Sequence, residues 1–303
     1  MSGRQYASLA SGGLDPSSPA MRLFQKAKRF GIWNPCDIDL AQDRVEWPRF
    51  DEREQDVILR LVALFQAGEE SVAVDLLPLI GVIASEGRLD EELYLASFLW
   101  EEAKHVEFMR RYLTEVCQAS GDLHAYSTPS YEAIFGEALP TALQRLRTDS
   151  SPRAQAEASV IYNMIVEGVL AETGYHAIFT TSDRLGILPG LRRGMELMMQ
   201  DEARHIAYGV LLLSRLVAEH PELWEQIEAK LQAYFPLAAG VITEVFDHYQ
   251  PDVPFGLDYQ EFLMYAMNQF ERRYNRLLRA KGRGADAAMQ LAHQSIDEEE
   301  NSP

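Results

Sequence analysis

Apolar residues recur at helical spacing along most of the chain, and runs with the alternation of β-strands are nearly absent. Asp51 and Glu54 fit a capping box, and apolar positions such as Val57 and Leu61 then follow at intervals of three to four residues. This pattern predicts a helix that begins after Asp51 and runs into the eighties, with a kink at Pro78.

The same spacing predicts five further long helices and one shorter helix. The long helices cover residues 89–117, 152–180, 189–219, 221–249 and 258–281, and the shorter one covers 131–147. Long helices with apolar faces bury those faces against each other, so we predict an all-α helical bundle. No linker rich in Pro, Gly or Ser divides the chain. We therefore predict a single domain over residues 21–285, after a flexible segment at 1–20 and before an acidic, disordered tail at 286–303.

Composition narrows the class of protein. The 303 residues are 47% hydrophobic, which is enough for a sizeable core. A net charge of −18 disfavours nucleic acid and anionic membrane surfaces as partners. No signal peptide or apolar run long enough to span a membrane is visible, and Cys36 and Cys117 are the only cysteines. These features favour a cytoplasmic protein with reduced thiols.

Two of the predicted helices carry a Glu three residues before a His. The pairs are Glu102 with His105 and Glu202 with His205. Residues three apart lie on the same side of a helix, so each pair can bind one metal ion. A single Glu-x-x-His is weak evidence, because such a match arises by chance in a chain of this size.

The helix before each pair adds a Glu inside an apolar run, which makes the pattern specific. Glu69 precedes Glu102 by 33 residues, and Glu167 precedes Glu202 by 35. A buried, ionised carboxylate costs several kcal/mol unless its charge is compensated. Four carboxylates and two imidazoles in a bundle core therefore predict a carboxylate-bridged dinuclear metal site. An oxygen-rich set with one imidazole per ion suits iron or manganese rather than zinc or copper.

The sequence leaves some neighbouring residues open. Glu70 adjoins Glu69, and Glu101 competes with Glu102 as a partner of His105. We interpret the residues directly before Glu102 and Glu202, which are expected to bridge the two metal ions, as residues that support the metal ligands. Asp201 in particular is expected to hydrogen-bond a ligand imidazole and fix its orientation. His176, four residues after Glu172, is expected to pack or to lie at the surface.

With these residues in view, the chain resembles the ferritin-like superfamily, and within it the small subunit of ribonucleotide reductase. It is most similar to the ligand-binding oxidases that carry a mixed Mn/Fe centre. The resemblance rests on "FQAGEESV", "EEAKH", "IYNMIVEG" and "DEARH", and it extends from about residue 26 to 280. It implies a ferritin-like four-helix bundle core with additional helices. It also implies that manganese is held by Glu69, Glu102 and His105, and iron by Glu167, Glu202 and His205, with two iron ions as the alternative pair.

The resemblance further implies an ether bond between a valine and a tyrosine, which correspond to Val72 and Tyr162. Tyr162 lies five residues before Glu167, so on a regular helix the two side chains point apart. A π-bulge brings residues five apart onto one face, so we predict a local distortion of this helix. The resemblance also implies a long-chain fatty acid whose carboxylate touches the metals, molecular oxygen as co-substrate, an electron donor of unknown identity and a homodimer.

Other functions remain as alternatives. A ribonucleotide reductase small subunit is disfavoured because Met109 stands where that family has its radical tyrosine, and because no tyrosine follows Tyr274. A soluble acyl desaturase or hydroxylase has similar ligand motifs, but no basic docking face for an acidic carrier is visible. A metal-storage protein would be shorter than this chain.

Overall fold

All regular elements of the computed structural model are helical within the residues it describes, which are 6–9, 13–119, 121–284, 290–294 and 296. This confirms the predicted all-α class. The α-helices are α1 (Pro19–Phe30), α2 (Ala41–Glu46), α3 (Glu52–Asp75), α4 (Leu77–Ser85), α5 (Leu89–Glu115), α6 (Pro129–Tyr131), α7 (Leu139–Arg145), α8 (Pro152–Ser159), α9 (Glu172–Leu185), α10 (Pro189–Glu219), α11 (Leu223–Tyr249) and α12 (Tyr259–Ala280). Two π-helical segments, Glu132–Ala138 and Val160–Ala171, join α6 to α7 and α8 to α9.

Four long helical units form the core bundle: α3, α5, the unit in which the π-helical segment Val160–Ala171 joins α8 to α9, and α10. The helix α3 packs against α5, and α10 packs against α5, α9 and the π-helical segment Val160–Ala171. The remaining long helices cover this bundle, because α1 packs on α5 and α10 while α11 and α12 pack on the same π-helical segment. The arrangement confirms the ferritin-like bundle with additional helices. Among the described residues, no helix is both long and apolar enough to cross a membrane.

The helix ends follow from local sequence signals. The Asp51 side chain accepts hydrogen bonds from the backbone N–H groups of Arg53 and Glu54, and the Glu54 side chain accepts one from the N–H of Asp51, which completes the predicted capping box. The predicted kink at Pro78 is a break between helices, since α3 ends at Asp75 and α4 begins at Leu77. Proline fits there because the first turn of a helix has unpaired N–H groups.

The predicted distortion of the third ligand helix is confirmed. Twelve residues, Val160–Ala171, have π-helical geometry inside an otherwise α-helical unit. Wider turns bring residues five apart onto the same face of the helix. Tyr162 and Glu167 are accordingly both buried in the bundle core.

The two ends of the chain differ from the prediction. The helix α1 was not predicted, and it begins at Pro19, where the Ser18 side chain accepts a hydrogen bond from the N–H of Met21. The predicted disordered tail is wrong for residues 290–294 and 296, which are helical, because their apolar side chains find a surface to pack on. Leu291, Ala292 and Ile296 are buried. Residues 1–5, 10–12, 286–289, 295 and 297–303 of the predicted terminal segments lie outside the described residues.

Candidate metal centre

The six residues of the repeated sequence pattern converge in the middle of the bundle. Four helical units contribute them, namely α3, α5, the π-helical segment Val160–Ala171 and α10. All six side chains are buried; they are Glu69, Glu102, His105, Glu167, Glu202 and His205. Such a concentration of carboxylates away from water is unfavourable without cations, because each ionised group loses its hydration.

The six side chains form two overlapping groups that could each hold one metal ion. The first contains Glu69, Glu102, His105 and Glu202, and the second contains Glu102, Glu167, Glu202 and His205. Within each group the ligand atoms lie within 4.8 Å of one another. Glu102 and Glu202 belong to both groups. Two adjacent ions that share two carboxylates are therefore the arrangement these side chains fit.

Each histidine directs its Nδ1 atom at the carboxylates of its own ligand group. Nδ1 of His105 lies 3.3 Å from Glu69 and 3.4 Å from Glu202. Nδ1 of His205 lies 3.1 Å from Glu102 and 3.4 Å from Glu202. Each Nδ1 faces the carboxylates, while each Nε2 points outwards to another partner.

Several buried atoms of the cluster lack a hydrogen-bond partner. They are one carboxylate oxygen each of Glu102, Glu167 and Glu202, together with Nδ1 of His205. Buried polar atoms in proteins are nearly always satisfied, and each unsatisfied one costs free energy. These atoms belong to the potential ligand groups, so bound cations would satisfy them.

The pKa values of the cluster show how the protein compensates charge when no ions are bound. Burial raises the pKa of Glu69 to about 8 and raises the pKa of Glu167 well above its ordinary value. Burial also acts to raise the pKa of Glu102, but the two neighbouring imidazoles outweigh it and lower that pKa. Burial opposes protonation of the two imidazoles, yet the surrounding carboxylates raise the pKa of His105 and of His205 well above the ordinary value. Protons thus occupy the cluster in place of cations.

Each imidazole is held by a carboxylate from the opposite helix. Nε2 of His105, on α5, lies 3.2 Å from Asp201 Oδ2 on α10. Nε2 of His205, on α10, lies 3.0 Å from Glu101 Oε2 on α5. Each of these carboxylates directly precedes a shared Glu in the sequence. Because a carboxylate accepts the Nε2 proton, Nδ1 keeps its lone pair for a metal ion.

Basic and aromatic side chains complete the surroundings of the two carboxylates. Arg204 donates hydrogen bonds to both Glu101 and Asp201. Asp201 also accepts from Lys104 Nζ at 2.9 Å and from Trp33 Nε1 at 2.8 Å. Sequence reasoning did not identify Arg204, Lys104 or Trp33. Arg204 and Lys104 lie inside the motifs already quoted, but their partners sit on other helices and leave no local signal.

The two imidazoles have different aromatic neighbours. The ring of Phe98 stacks on His205 with the centroids 3.6 Å apart and the planes 11° apart. The ring of Trp33 lies parallel to His105 at the longer distance of 6.2 Å. The packing around the two histidines is therefore not equivalent.

The open questions about neighbouring residues have clear structural answers. Glu70 is exposed, whereas Glu69 is buried in the cluster. Glu101 contacts His205 and belongs to neither ligand group. His176 lies outside both groups and stacks on Tyr265, with ring centroids 4.1 Å apart.

Val72 and Tyr162 lie beside the cluster. The Tyr162 hydroxyl donates a hydrogen bond of 3.1 Å to Glu102 Oε1. Burial and the neighbouring carboxylates raise the pKa of Tyr162 well above its ordinary value, so the phenol keeps its proton. Val72 is buried one helical turn after Glu69 and lines the same cavity as the cluster carboxylates.

A cavity of about 170 Å³, partly open to solvent, ends on the cluster. Its inner end is formed by Glu69, Glu102, Glu167 and Glu202. Its walls are mainly apolar and come from α3, the two π-helical segments, α9 and α11; among them are Leu61, Leu64, Phe65, Val72, Phe135, Val166, Leu170, Ile242 and Phe246. The sequence did not mark this cavity, because its walls come from segments far apart in the chain.

A bundle that brings four carboxylates and two imidazoles together from four helical units is characteristic of ferritin-like dinuclear carboxylate proteins. Residues 18–277 match the family model of the ribonucleotide reductase small chain, and the chain belongs to that family.

Within this family, the chain is similar to solved structures of R2-like ligand-binding oxidases. A valine-to-leucine variant of an R2-like ligand-binding oxidase, with an anaerobically reconstituted Mn/Fe cofactor, is 37% identical, with 86% of this chain and 94% of that chain covered and a TM-score of 0.82. A glycine-to-leucine variant with an anaerobically reconstituted Mn/Fe cofactor is 35% identical, with 89% and 97% covered and a TM-score of 0.85. The chain is thus a dinuclear metal-dependent oxidoreductase, and it is similar to oxidases whose structures contain a Mn/Fe cofactor.

Proposed function

We propose that the protein activates oxygen at its Mn/Fe centre and oxidises C–H bonds by two electrons, with a long-chain fatty-acid-like ligand bound beside the metals. The observation that carries this proposal is the apolar cavity whose inner end is formed by the cluster carboxylates. Storage of metal ions does not require such a cavity. An oxidase requires one, because the cavity admits an organic molecule and excludes bulk water.

Each of the six cluster residues has a proposed role. Glu69 and His105 would hold manganese, Glu167 and His205 would hold iron, and Glu102 and Glu202 would be available to both ions. Asp201 and Glu101 orient the imidazoles through the hydrogen bonds to Nε2. The bound metals supply electrons and activate oxygen, while the protein supplies geometry and a dry site.

The cavity suits a fatty acid with its carboxylate at the metals. The proposed metal ions would lie at the inner end of the cavity, where they attract a carboxylate, and the walls beyond this end are mainly apolar. Burial of an alkyl chain contributes about 0.8 kcal/mol per CH₂ group. A ligand in this orientation places its polar group at the ions and its chain against the apolar walls.

Substitution of Gly68 by leucine is expected to weaken fatty-acid binding by more than about tenfold, because a leucine side chain fills the cavity. A Cβ atom at this position already lies 3.3 Å from the ring of Phe135. Calorimetric titration of the metal-loaded protein with myristate measures the effect. The matched control is Gly81→Leu, since no atom lies within 4 Å of a Cβ at that position. Equal affinities for Gly68→Leu and wild type would contradict the proposed location of the ligand.

Val72 and Tyr162 are the proposed partners of an internal ether cross-link. Valine has one tertiary C–H bond, at Cβ, and it is the weakest of its side chain. The reaction breaks this bond and the O–H bond of Tyr162, forms a C–O bond and releases two electrons and two protons. Dioxygen would accept them, and two further electrons, which reduced metals would supply when bound, together with two protons from solvent would complete its reduction to two water molecules. Glu102 accepts the hydrogen bond of the phenol and is placed to take its proton.

A peptide map after loading with manganese and iron in air tests the cross-link. Trypsin releases one peptide over residues 61–88 and another over 154–184. The expected result is a single species lighter by two hydrogens than the sum of the two peptides. Tyr162→Phe is the control, and its peptides are expected to run separately. If the wild-type peptides also run separately while both metals are bound, the cross-link proposal is wrong.

Nucleotide reduction is the second candidate, because the family match is to the small chain of ribonucleotide reductase. Met109 is fully buried beside Phe108 and Tyr112 on α5. A thioether cannot form the phenoxyl radical that the resemblance assigns to this position. We therefore favour the oxidase.

We also propose a cytoplasmic homodimer that receives electrons from a separate donor. The homodimer rests on the resemblance to the ligand-binding oxidases. The location is supported by the two cysteines, which are both free thiols. Burial raises the pKa of Cys117 to about 12, so this thiol is unreactive.

A further inference from the structure

We propose that the cavity binds an acyl chain with a polar group at each end, and that Arg60 receives the end far from the metals. This inference rests on the proposed function, because it assumes that a fatty-acid-like chain occupies the cavity. It narrows the ligand to the class of ω-carboxy or ω-hydroxy fatty acids.

Arg60 is the one basic side chain in the lining of a cavity whose walls are otherwise mainly apolar, as far as the described residues go. It extends from α3 and is buried. Arginine is seldom buried in proteins unless an anion or several acceptors surround it. The rings of Tyr126 and Tyr249 lie 4.9 and 5.7 Å from the guanidinium carbon and stabilise part of its charge.

The partners that Arg60 has within the protein are incomplete. Nε donates to the Tyr249 hydroxyl at 3.0 Å, and Nη1 donates to the backbone carbonyl of Tyr126 at 3.3 Å. A guanidinium has five N–H donors, so three of them form no hydrogen bond within the described part of the chain. Two of these three belong to Nη2, the group best placed for a bidentate contact with an anion together with Nη1.

The nearest carboxylate forms an ion pair with the guanidinium but no hydrogen bond. Asp56 Oδ2 lies 3.8 Å from Nη2 of Arg60, which is too long for a hydrogen bond. Asp56 instead accepts hydrogen bonds from the hydroxyls of Tyr249 at 2.5 Å and Tyr126 at 3.1 Å. It is also partly exposed, so water screens its charge. Arg60 thus remains able to bind a second, incoming anion or hydroxyl.

The distance between the two ends of the cavity sets the length of the chain. Arg60 and Glu69 are nine residues apart on α3, and both line the cavity. Nine residues of α-helix separate the Cα atoms of Arg60 and Glu69 by roughly 13 Å along the helix axis, and we use this separation as the scale of the ligand. An extended covalent chain advances roughly 1.2 Å per bond, so a chain of about eleven bonds matches this separation. A twelve-carbon dicarboxylate, dodecanedioate, has this length.

A comparison of dodecanedioate with dodecanoate tests the inference. Both are titrated calorimetrically into the metal-loaded, delipidated protein without oxygen. We expect dodecanedioate to bind at least about tenfold more tightly, although its second carboxylate makes it less hydrophobic. In Arg60→Leu the order is expected to reverse, because the second carboxylate then loses water without gaining a partner. Arg49→Leu is the control for charge, since Arg49 is exposed and lies outside the cavity lining; it is expected to keep the wild-type preference.

Three results would overturn the inference. If wild type binds both acids equally, or prefers dodecanoate, Arg60 does not recognise a distal group. If Arg60→Leu weakens dodecanoate as much as dodecanedioate, the single carboxylate itself binds at Arg60. If neither acid binds the wild type, the proposed fatty-acid function fails as well. Binding of dodecanoate without a gain for dodecanedioate leaves the proposed function standing and rejects only the two-ended ligand.

Discussion

Substitution of Glu202 by alanine is expected to remove both metal ions, not one. Glu202 belongs to both ligand groups, and its oxygens lie 3.4 Å from Nδ1 of each histidine. Loss of a residue that supports a ligand already costs about 10- to 100-fold in metal affinity. Loss of a shared ligand is expected to exceed that cost at both positions. Elemental analysis of the purified variant is expected to find well below one ion per chain, with no detectable oxygen consumption.

Two comparisons separate loss of ligation from loss of the fold. Glu70→Ala removes a carboxylate next to Glu69 but on the exposed side of α3, and it is expected to retain both ions. A cooperative thermal transition of metal-free Glu202→Ala, compared with that of the metal-free wild type, shows whether the variant still folds, since removing one partner of the buried imidazoles is expected to lower stability. A Glu202→Ala protein that still binds two ions would show that Glu202 is not shared.

Removal of the metals is expected to make stability strongly dependent on pH. Burial raises the pKa of Glu69 to about 8, from an ordinary value of 4.5, and raises that of Glu167 as well. Between pH 4.5 and about 8, Glu69 therefore keeps its proton in the folded, metal-free protein but has lost it in the unfolded chain. The free energy of unfolding therefore falls as pH rises from about 4.5 to about 8. The raised pKa values of His105 and His205 act in the same direction above pH 6.5.

Bound metals are expected to remove most of this dependence, since the ions replace the protons. At a metal concentration a thousandfold above Kd, each ion adds about 4 kcal/mol to the free energy of unfolding. Scanning calorimetry between pH 5.5 and 8.5, with and without a chelator, measures both effects. We expect the unfolding temperature of the chelated protein to fall across this range while that of the loaded protein stays nearly level. Parallel curves would show that metal binding displaces no protons from the cluster.

The ligand residues could be predicted from the sequence because their spacing repeats. Helical period fixes which residues share a face, so Glu102 with His105 and Glu202 with His205 follow from local geometry. The π-helical segment could also be predicted, because Tyr162 and Glu167 meet the same site only if the helix is distorted.

Features that depend on contacts between distant segments could not be predicted. The partner of Glu101 is His205, on a helix that follows about a hundred residues later, and no local pattern indicates that pairing. The same reason applies to Trp33 and to the cavity. The helix α1 was missed because its sequence, which begins after a Gly- and Ser-rich stretch, gains stability by packing on α5 and α10.

Each ligand histidine is hydrogen-bonded by a carboxylate from the opposite helix, and this arrangement bears on which metal ion each position binds. Each group offers one carboxylate of its own, two shared carboxylates and one Nδ1 atom, so the donor types are identical at both positions. A cofactor with two different ions needs an asymmetry, and the asymmetry lies outside the ligand groups. His105 lies beside Trp33 and contacts Asp201, which accepts a hydrogen bond from Lys104. His205 instead stacks closely on Phe98. If the protein holds manganese and iron as proposed, we expect discrimination between them to depend on these side chains outside the two ligand groups.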